Sequence, residues 1–430
     1  MKLNIFLHIS KKMNYKKQYF ADLQRGLIKA AQAQDRYDLE TINLIAPASP
    51  TPLKYFYDLP LRHNMIAEGL IEHRPYAGVD GFNSIERIAA ESACVLFGAD
   101  HANVQPHSVS QANQAVYQAL LENGDKALAM KFDAGGHLTH GMKRNFSGRF
   151  FNFDFYGVNE EGFLDYEEIE EKALDFAPKL IVCGASSYPR IIDFERIAKI
   201  SRKSNSYLMA DLSHPAGLIV ADRFPHPFPY CDVVTLTLDK TMLGPHGGII
   251  LCKKELGDRI DREIHPGVQS SVPLRRIYQI AQCLIDASSD SFRDYIGRVV
   301  GNMKVFEEEF NRYPGLIVTG GSDTHLMVLN TYKVFGLTGK ESEGLLEETG
   351  ILTNRQVVPG EVFKPYMASG IRLGTSWITA RGFTGEETGF IANIILDNLT
   401  DPTNTALQEK SKEKVKNLLK IKRPIDVWYE

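Results

Sequence analysis

Between residues 128 and 252 the chain alternates short, wholly apolar runs with longer amphipathic segments, and few folds accept that rhythm. The runs at 128–132 (LAMKF), 180–185 (LIVCGA), 206–211 (SYLMAD), 231–238 (CDVVTLTL) and 247–252 (GGIILC) read as buried strands. They are brief, rich in apolar and branched residues, and bounded by Gly, Pro, Asp or Asn. Helical patterns at 166–176 and 194–204 lie between them. Strands separated by helices are joined by crossovers, which predicts an α/β fold with a mostly parallel sheet covered by helices.

Beyond residue 288 the texture changes to one long helical segment, strands near Leu316 and Leu326, a helix near Glu341 and a closing helix pair. We therefore expect an N-terminal helical arm over 1–50, a large domain over 51–288 and a smaller α+β domain over 289–430. A chain of 430 residues exceeds what one core usually fills. Lys plus Arg at 49 against Asp plus Glu at 53 leaves a net charge of −4 without a long basic run, which disfavours nucleic acid as a partner. No apolar stretch approaches a membrane span, and the start lacks a cleavage signal, so a soluble, cytoplasmic protein is expected. The five cysteines, at 94, 183, 231, 252 and 283, follow no metal-binding spacing and read as reduced core thiols.

Four groups of residues carry possible chemistry. Ser108 and Ser110 precede a helical pattern, where they either cap the helix or join its free N–H groups in a phosphate cradle. Asp211 and Lys240 close two neighbouring predicted strands, at the edge where α/β sheets bind ligands. They are either a structural ion pair or the carboxylate and amine that a pyridoxal enzyme needs. His137 and His140 lie in GGHLTHG, where a stacking or acid/base role for His137 outweighs a metal, since no further ligand cluster accompanies them. Arg372, between apolar strand residues, is either paired internally or aimed at a carboxylate.

Together the segments HANVQPHSVSQANQAVYQALL, GGHLTHG with NFSG, PRIIDF, AD with SHPAGL, GPHGG, and GIRLGT with ITARGF resemble serine hydroxymethyltransferases over roughly residues 40–380. The resemblance implies a fold-type I pyridoxal-phosphate enzyme, with a seven-stranded mixed sheet in the large domain. It also implies a homodimer with active sites formed between subunits, leaving dimer or tetramer open, and a small amino acid as substrate. By the same resemblance Lys240 is the Schiff-base lysine, Asp211 the partner of the pyridine nitrogen and His137 the ring stacked on the cofactor. Ser108, Val109 and Ser110 match the phosphate contacts, with Val109 replacing a glycine. Ser186 and His214 match positions near the phenolic oxygen, and Thr237 the threonine ahead of the lysine. Arg372 matches the substrate-carboxylate arginine, Glu68 the acid/base glutamate, and Tyr76 a substrate-site tyrosine.

The departures cluster around the same pocket. Asp239 stands where the family has histidine, His246 where it has arginine, and Ser270 and Ser271 where two glycines reach the partner's phosphate. Pro47 and Ile66 replace a serine and a tyrosine, and Phe132, Gln356 and Pro75 replace residues of the folate side, while Gly136 and Leu138 are kept. Three functions are therefore weighed. The first is one-carbon transfer between serine and glycine with tetrahydrofolate, the second a folate-independent aldolase, transaldolase or hydroxymethyl transfer to an α-substituted amino acid. The third is a non-catalytic cofactor-binding module, which has no need for Lys240, Asp211, Glu68 and Arg372 together.

Overall fold

The computed structural model describes residues 2–420 apart from 51, 53, 54, 56–60 and 62–66, with side chains from residue 18 onward. A helix of 39 residues, Lys2–Glu40, leads into strand β1 (Ile42–Asn43). The main sheet follows with β2 (His101–Asn103), β3 (Lys126–Met130), β4 (Asn152–Tyr156), β5 (Leu180–Cys183), β6 (Tyr207–Asp211), β7 (Val233–Leu236) and β8 (Ile249–Cys252). Its order is β2-β8-β7-β6-β5-β3-β4. The pairs from β4 to β7 are parallel, whereas β8 runs antiparallel to both β7 and β2. This is the mixed, mostly parallel α/β sheet that the apolar runs predict.

The runs after the first shorten by one to four residues, to the strands given above, and two further differences have physical reasons. The run at 128–132 leaves the sheet after Met130, because the chain turns sharply and the Gly136 N–H donates to the Lys131 carbonyl at 2.9 Å. Near Leu316 only an isolated bridge forms, between Ile317 and Leu329. The remaining strands, β9 (Leu326–Leu329), β10 (Ile351–Leu352), β11 (Asn354–Gln356) and β12 (Gly370–Gly374), make a three-stranded antiparallel sheet, β11-β12-β9, and a short parallel pair, β1-β10.

Local chemistry sets the helix ends. Asp165 and Asp193 accept from the backbone N–H groups of Glu168 and Arg196 and start the crossover helices Tyr166–Phe176 and Phe194–Lys203. Buried strand residues such as Leu128, Ile181, Leu208 and Val234 build one core with the flanking helices. Ile42, Leu44, Phe306, Phe310, Leu329 and Ile371 build another. The helix Asp290–Phe310 serves both, giving Tyr295 and Val299 to the first and Met303, Phe306 and Phe310 to the second. No described helix is long and apolar enough to cross a membrane.

One close approach matters for the site. Gly184, just after β5, has φ +100°, and a Cβ there would lie 2.0 Å from the Asp211 carbonyl oxygen. Gly184→Ala therefore has to strain its backbone and push the end of β6 away. We expect a loss of about 3–5 kcal/mol, measured as a lowered denaturation midpoint, together with weakened binding at Asp211.

Candidate active site

The carboxyl ends of β6 and β7 open into a cavity of about 170 Å³ whose walls include Ser108, Ser110, His137, Ser186, Asp211, His214, Thr237 and Lys240. Ser108 is the N-cap of the helix Val109–Leu120, with its hydroxyl accepting from the Gln111 N–H at 3.3 Å. The capping reading is borne out for Ser108. Ser108 caps the helix, and the capped end, with Val109 and Ser110, faces the cavity.

Asp211 lines the same cavity and is fully engaged. Its Oδ1 accepts from the Ser213 hydroxyl at 2.6 Å, and its Oδ2 from Asn113 Nδ2 at 3.0 Å and His140 Nε2 at 3.2 Å. Burial alone would raise its pKa, but His140, His137 and Ser213 outweigh that and hold the carboxyl well below the aspartate range. Asn113 also donates to Thr139 at 2.9 Å and accepts from Thr235 at 2.7 Å. Thr139 in turn bonds His137 Nδ1 at 2.8 Å. A continuous buried network thus orients Asp211 and the His137 ring together.

Burial, reinforced by His140, Lys240 and Arg372 against the pull of Asp211, pushes His137 down to about 4, so its ring is neutral near pH 7. Behind it, His214 and His325 stack with centroids 5.4 Å apart and share a 3.3 Å contact. Burial, with the charges of Lys240 and Arg372, keeps both neutral, His325 at about 3 and His214 well below its usual value. Burial also lowers the Lys240 amine, against the opposing pull of Asp211 and Asp239. That amine makes no hydrogen bond or ion pair among the described residues. Arg372, on β12, donates to the Ser186 carbonyl at 2.5 Å and to Asn354 Oδ1 at 3.1 Å.

These donors fit pyridoxal phosphate: a free amine, an ionised carboxylate, a neutral flat ring and a serine-capped helix N-terminus share one cavity. A family model for serine hydroxymethyltransferase matches residues 27–395. The chain is 44% identical to the serine hydroxymethyltransferase of Mycoplasma mycoides subsp. mycoides SC, over 81% of this chain and 85% of that one. It is 43% identical to that of Mesoplasma florum, over 82% and 86%, and 44% identical to that of Mycoplasma capricolum, again over 82% and 86%. The chain belongs to the serine hydroxymethyltransferase family. It is accordingly a fold-type I, pyridoxal-phosphate-dependent transferase, and the module reading falls away.

Within this hydroxymethyltransferase, five predicted residues are not among those that line the cavity, Arg372 among them, one hydrogen bond away at the Ser186 carbonyl. Ser270, Ser271 and Tyr76 are exposed, and Glu68 forms a backbone bridge with Ser271. Ile66 lies outside the described residues. Asp239, beside the lysine, is paired: it accepts from Thr237 at 2.5 Å and from His246 Nδ1 at 2.5 Å. His137, His140 and Asp211 offer atoms within 4.8 Å of one another, a spacing compatible with an ion. His137 Nδ1 and both Asp211 oxygens are already engaged by Thr139, Asn113, His140 and Ser213, and we assign no metal.

Sequence reasoning missed Asn113, Thr139, Thr235 and His325. Asn113 had a usable signal: it shares the buried helix face of Val116, Tyr117 and Leu120, where an amide needs partners.

Proposed function

We propose that this enzyme interconverts serine and glycine through the Cα–Cβ bond, with Lys240 as its amine and tetrahydrofolate as the one-carbon acceptor. The observation that carries the reading is the convergence of Lys240, Asp211 and the Ser108–Ser110 helix start on one cavity. Pyridoxal phosphate, when bound, supplies a carbonyl that condenses with amines and a ring that accepts electrons from the substrate's Cα.

Each residue has a distinct task in this reading. Ser108, Ser110 and the backbone at Val109 hold the phosphate, Asp211 keeps a proton on the pyridine nitrogen, and His137 covers one ring face without adding charge. Ser186, His214 and Thr237 line the ring. The lowered pKa of Lys240 raises the share of free amine available as a nucleophile. Arg372 turns its fork from the Ser186 carbonyl to the substrate carboxylate. We expect Arg372→Lys to raise KM for serine about 10–100-fold with a smaller change in kcat, since one charge-assisted hydrogen bond is lost. Steady-state kinetics against serine concentration checks this.

We further propose that Glu68, Tyr76, Ser270 and Ser271 serve the neighbouring subunit's site in a homodimer, with Glu68 moving the hydroxyl proton. The Glu68–Ser271 bridge and the exposure of Tyr76 and both serines support this. Residues 51–288 and 289–430, with the arm ahead of them, are our domain division. Five free cysteines suit the cytoplasm.

A second cavity, of about 590 Å³, adjoins His137 and His140 and is lined by Phe132, Met142, Phe155 and Phe363. We place the folate there. Purified enzyme with serine, with and without tetrahydrofolate, tests the whole reading by product analysis. Glycine formation rising strongly with tetrahydrofolate supports it. Aldehyde release indifferent to the folate sinks it in favour of an aldolase.

A further inference from the structure

We propose that Asp239 and His246 form a proton-linked couple that recognises the cofactor's phosphate. This rests on the reading above, in which the phosphate lies at the Ser108–Ser110 helix start. The family carries a histidine and an arginine at these two positions, so this chain has exchanged a fixed cation for a titratable one and added a carboxylate.

The geometry makes the exchange coherent. Asp239 and His246 both line the cavity together with Ser108, Val109, Ser110 and Thr237. Two bonds hold the carboxylate in that wall, with Thr237 and His246 each bonding one oxygen at 2.5 Å, while Ser49 donates to the backbone carbonyl of Asp239 at 2.8 Å. It does not swing away from an arriving anion without breaking those contacts. With His246 neutral, the couple carries a net negative charge beside the phosphate. With His246 protonated, the couple is neutral, and the helix N–H groups and serine hydroxyls bind the anion unopposed.

Phosphate binding therefore favours the proton on His246, and affinity falls as pH rises. The surrounding charges do not replace this role. Arg276, from the helix Leu274–Ala287, donates to the His107 carbonyl at 3.2 Å. His107 directs its ring to the Ser271 carbonyl at 3.4 Å. Lys240 shares the couple's loop, and Asp211, His137 and His214 line the same cavity.

The test uses the cofactor-free protein and pyridoxamine 5′-phosphate, which has no carbonyl and forms no covalent link to Lys240. Calorimetry between about pH 7 and about pH 8.5 stays above the phosphate's own second ionisation near 6. We expect Kd to rise about threefold across that range, as the proton that phosphate binding favours on His246 is lost. His246→Gln should flatten the slope and bind about threefold more weakly than the parent at the lower pH. Asp239→Asn should flatten it too, while binding at least as tightly as the parent at the higher pH. Pyridoxamine without phosphate should show no slope. Both side chains sit at the mouth, 67% and 29% exposed, so either variant should fold, and circular dichroism checks it. A parent slope that persists unchanged in His246→Gln, or a parent without a slope, overturns the couple and leaves the function standing. A parent that binds the probe at neither pH overturns the function as well.

Discussion

Lys240→Ala should lower kcat for serine cleavage by on the order of 10³-fold or more, because no other described amine lines the cavity. The loss should be chemical rather than structural. The amine makes no hydrogen bond or ion pair among the described residues, so circular dichroism and the denaturation midpoint should stay near those of the parent. Affinity for pyridoxamine 5′-phosphate should also be largely kept, since Ser108, Ser110, Asp211 and His137 remain in place. A second effect follows from charge. Lys240 helps to hold His137, His214 and His325 neutral, so its removal should raise all three pKa values, visible by NMR titration. Activity within tenfold of the parent would place the reactive amine elsewhere.

Asp211→Asn should be nearly as damaging, and for two separable reasons. The amide is uncharged and no longer holds a proton on the pyridine nitrogen, which should reduce kcat about 10²–10³-fold. It also presents one acceptor where the carboxylate met donors from Asn113, His140 and Ser213 on two oxygens. At least one buried donor loses its partner, at about 1–3 kcal/mol. The pH dependence discriminates further. The folded carboxyl is held below its ordinary value of 3.8, so its stabilisation is fully present above that value and is lost as pH falls through the depressed folded pKa. Acid unfolding of the parent should therefore show a steep limb below about pH 4 that flattens in Asp211→Asn. Equal acid limbs in the two proteins would mean that the Asp211 network contributes nothing to folding.

The buried centre of the sheet was legible because burial on both faces leaves a composition trace. The runs that became β5, β6 and β8 are continuous apolar segments, and they formed almost where they were read. The edge strands were not legible. HAN at β2 is too short and polar to carry a period, and NFDFY at β4 alternates in a way that suits a loop as well as a strand. Their conformation comes from pairing with β8 and β3. NRQ at β11 is strand only because β12 lies against it.

The site divides along the same line. Lys240, Asp211 and Arg372 are polar residues at or inside apolar strand patterns, and that contradiction marks them in a single sequence. The network behind them is different in kind. Thr139, Thr235 and His325 are unremarkable in sequence and become important only when the fold closes around them, 26 to 122 residues from their partners along the chain. The Asp239–His246 pair spans seven residues across a loop, and no periodicity predicts that contact. Asp239 alone reads as a conflict with the phosphate; with its partner it reads as half of a neutral couple.

Reductive trapping bears most directly on the central claim, that Lys240 in this cavity holds the cofactor for Cα chemistry. The enzyme, loaded with pyridoxal phosphate, is treated with borohydride, digested and mapped by mass spectrometry. The account predicts the cofactor's mass on the peptide carrying Lys240, and its disappearance when serine is added before the reductant. A cofactor mass on any other lysine, or one on Lys240 that serine does not displace, would contradict it.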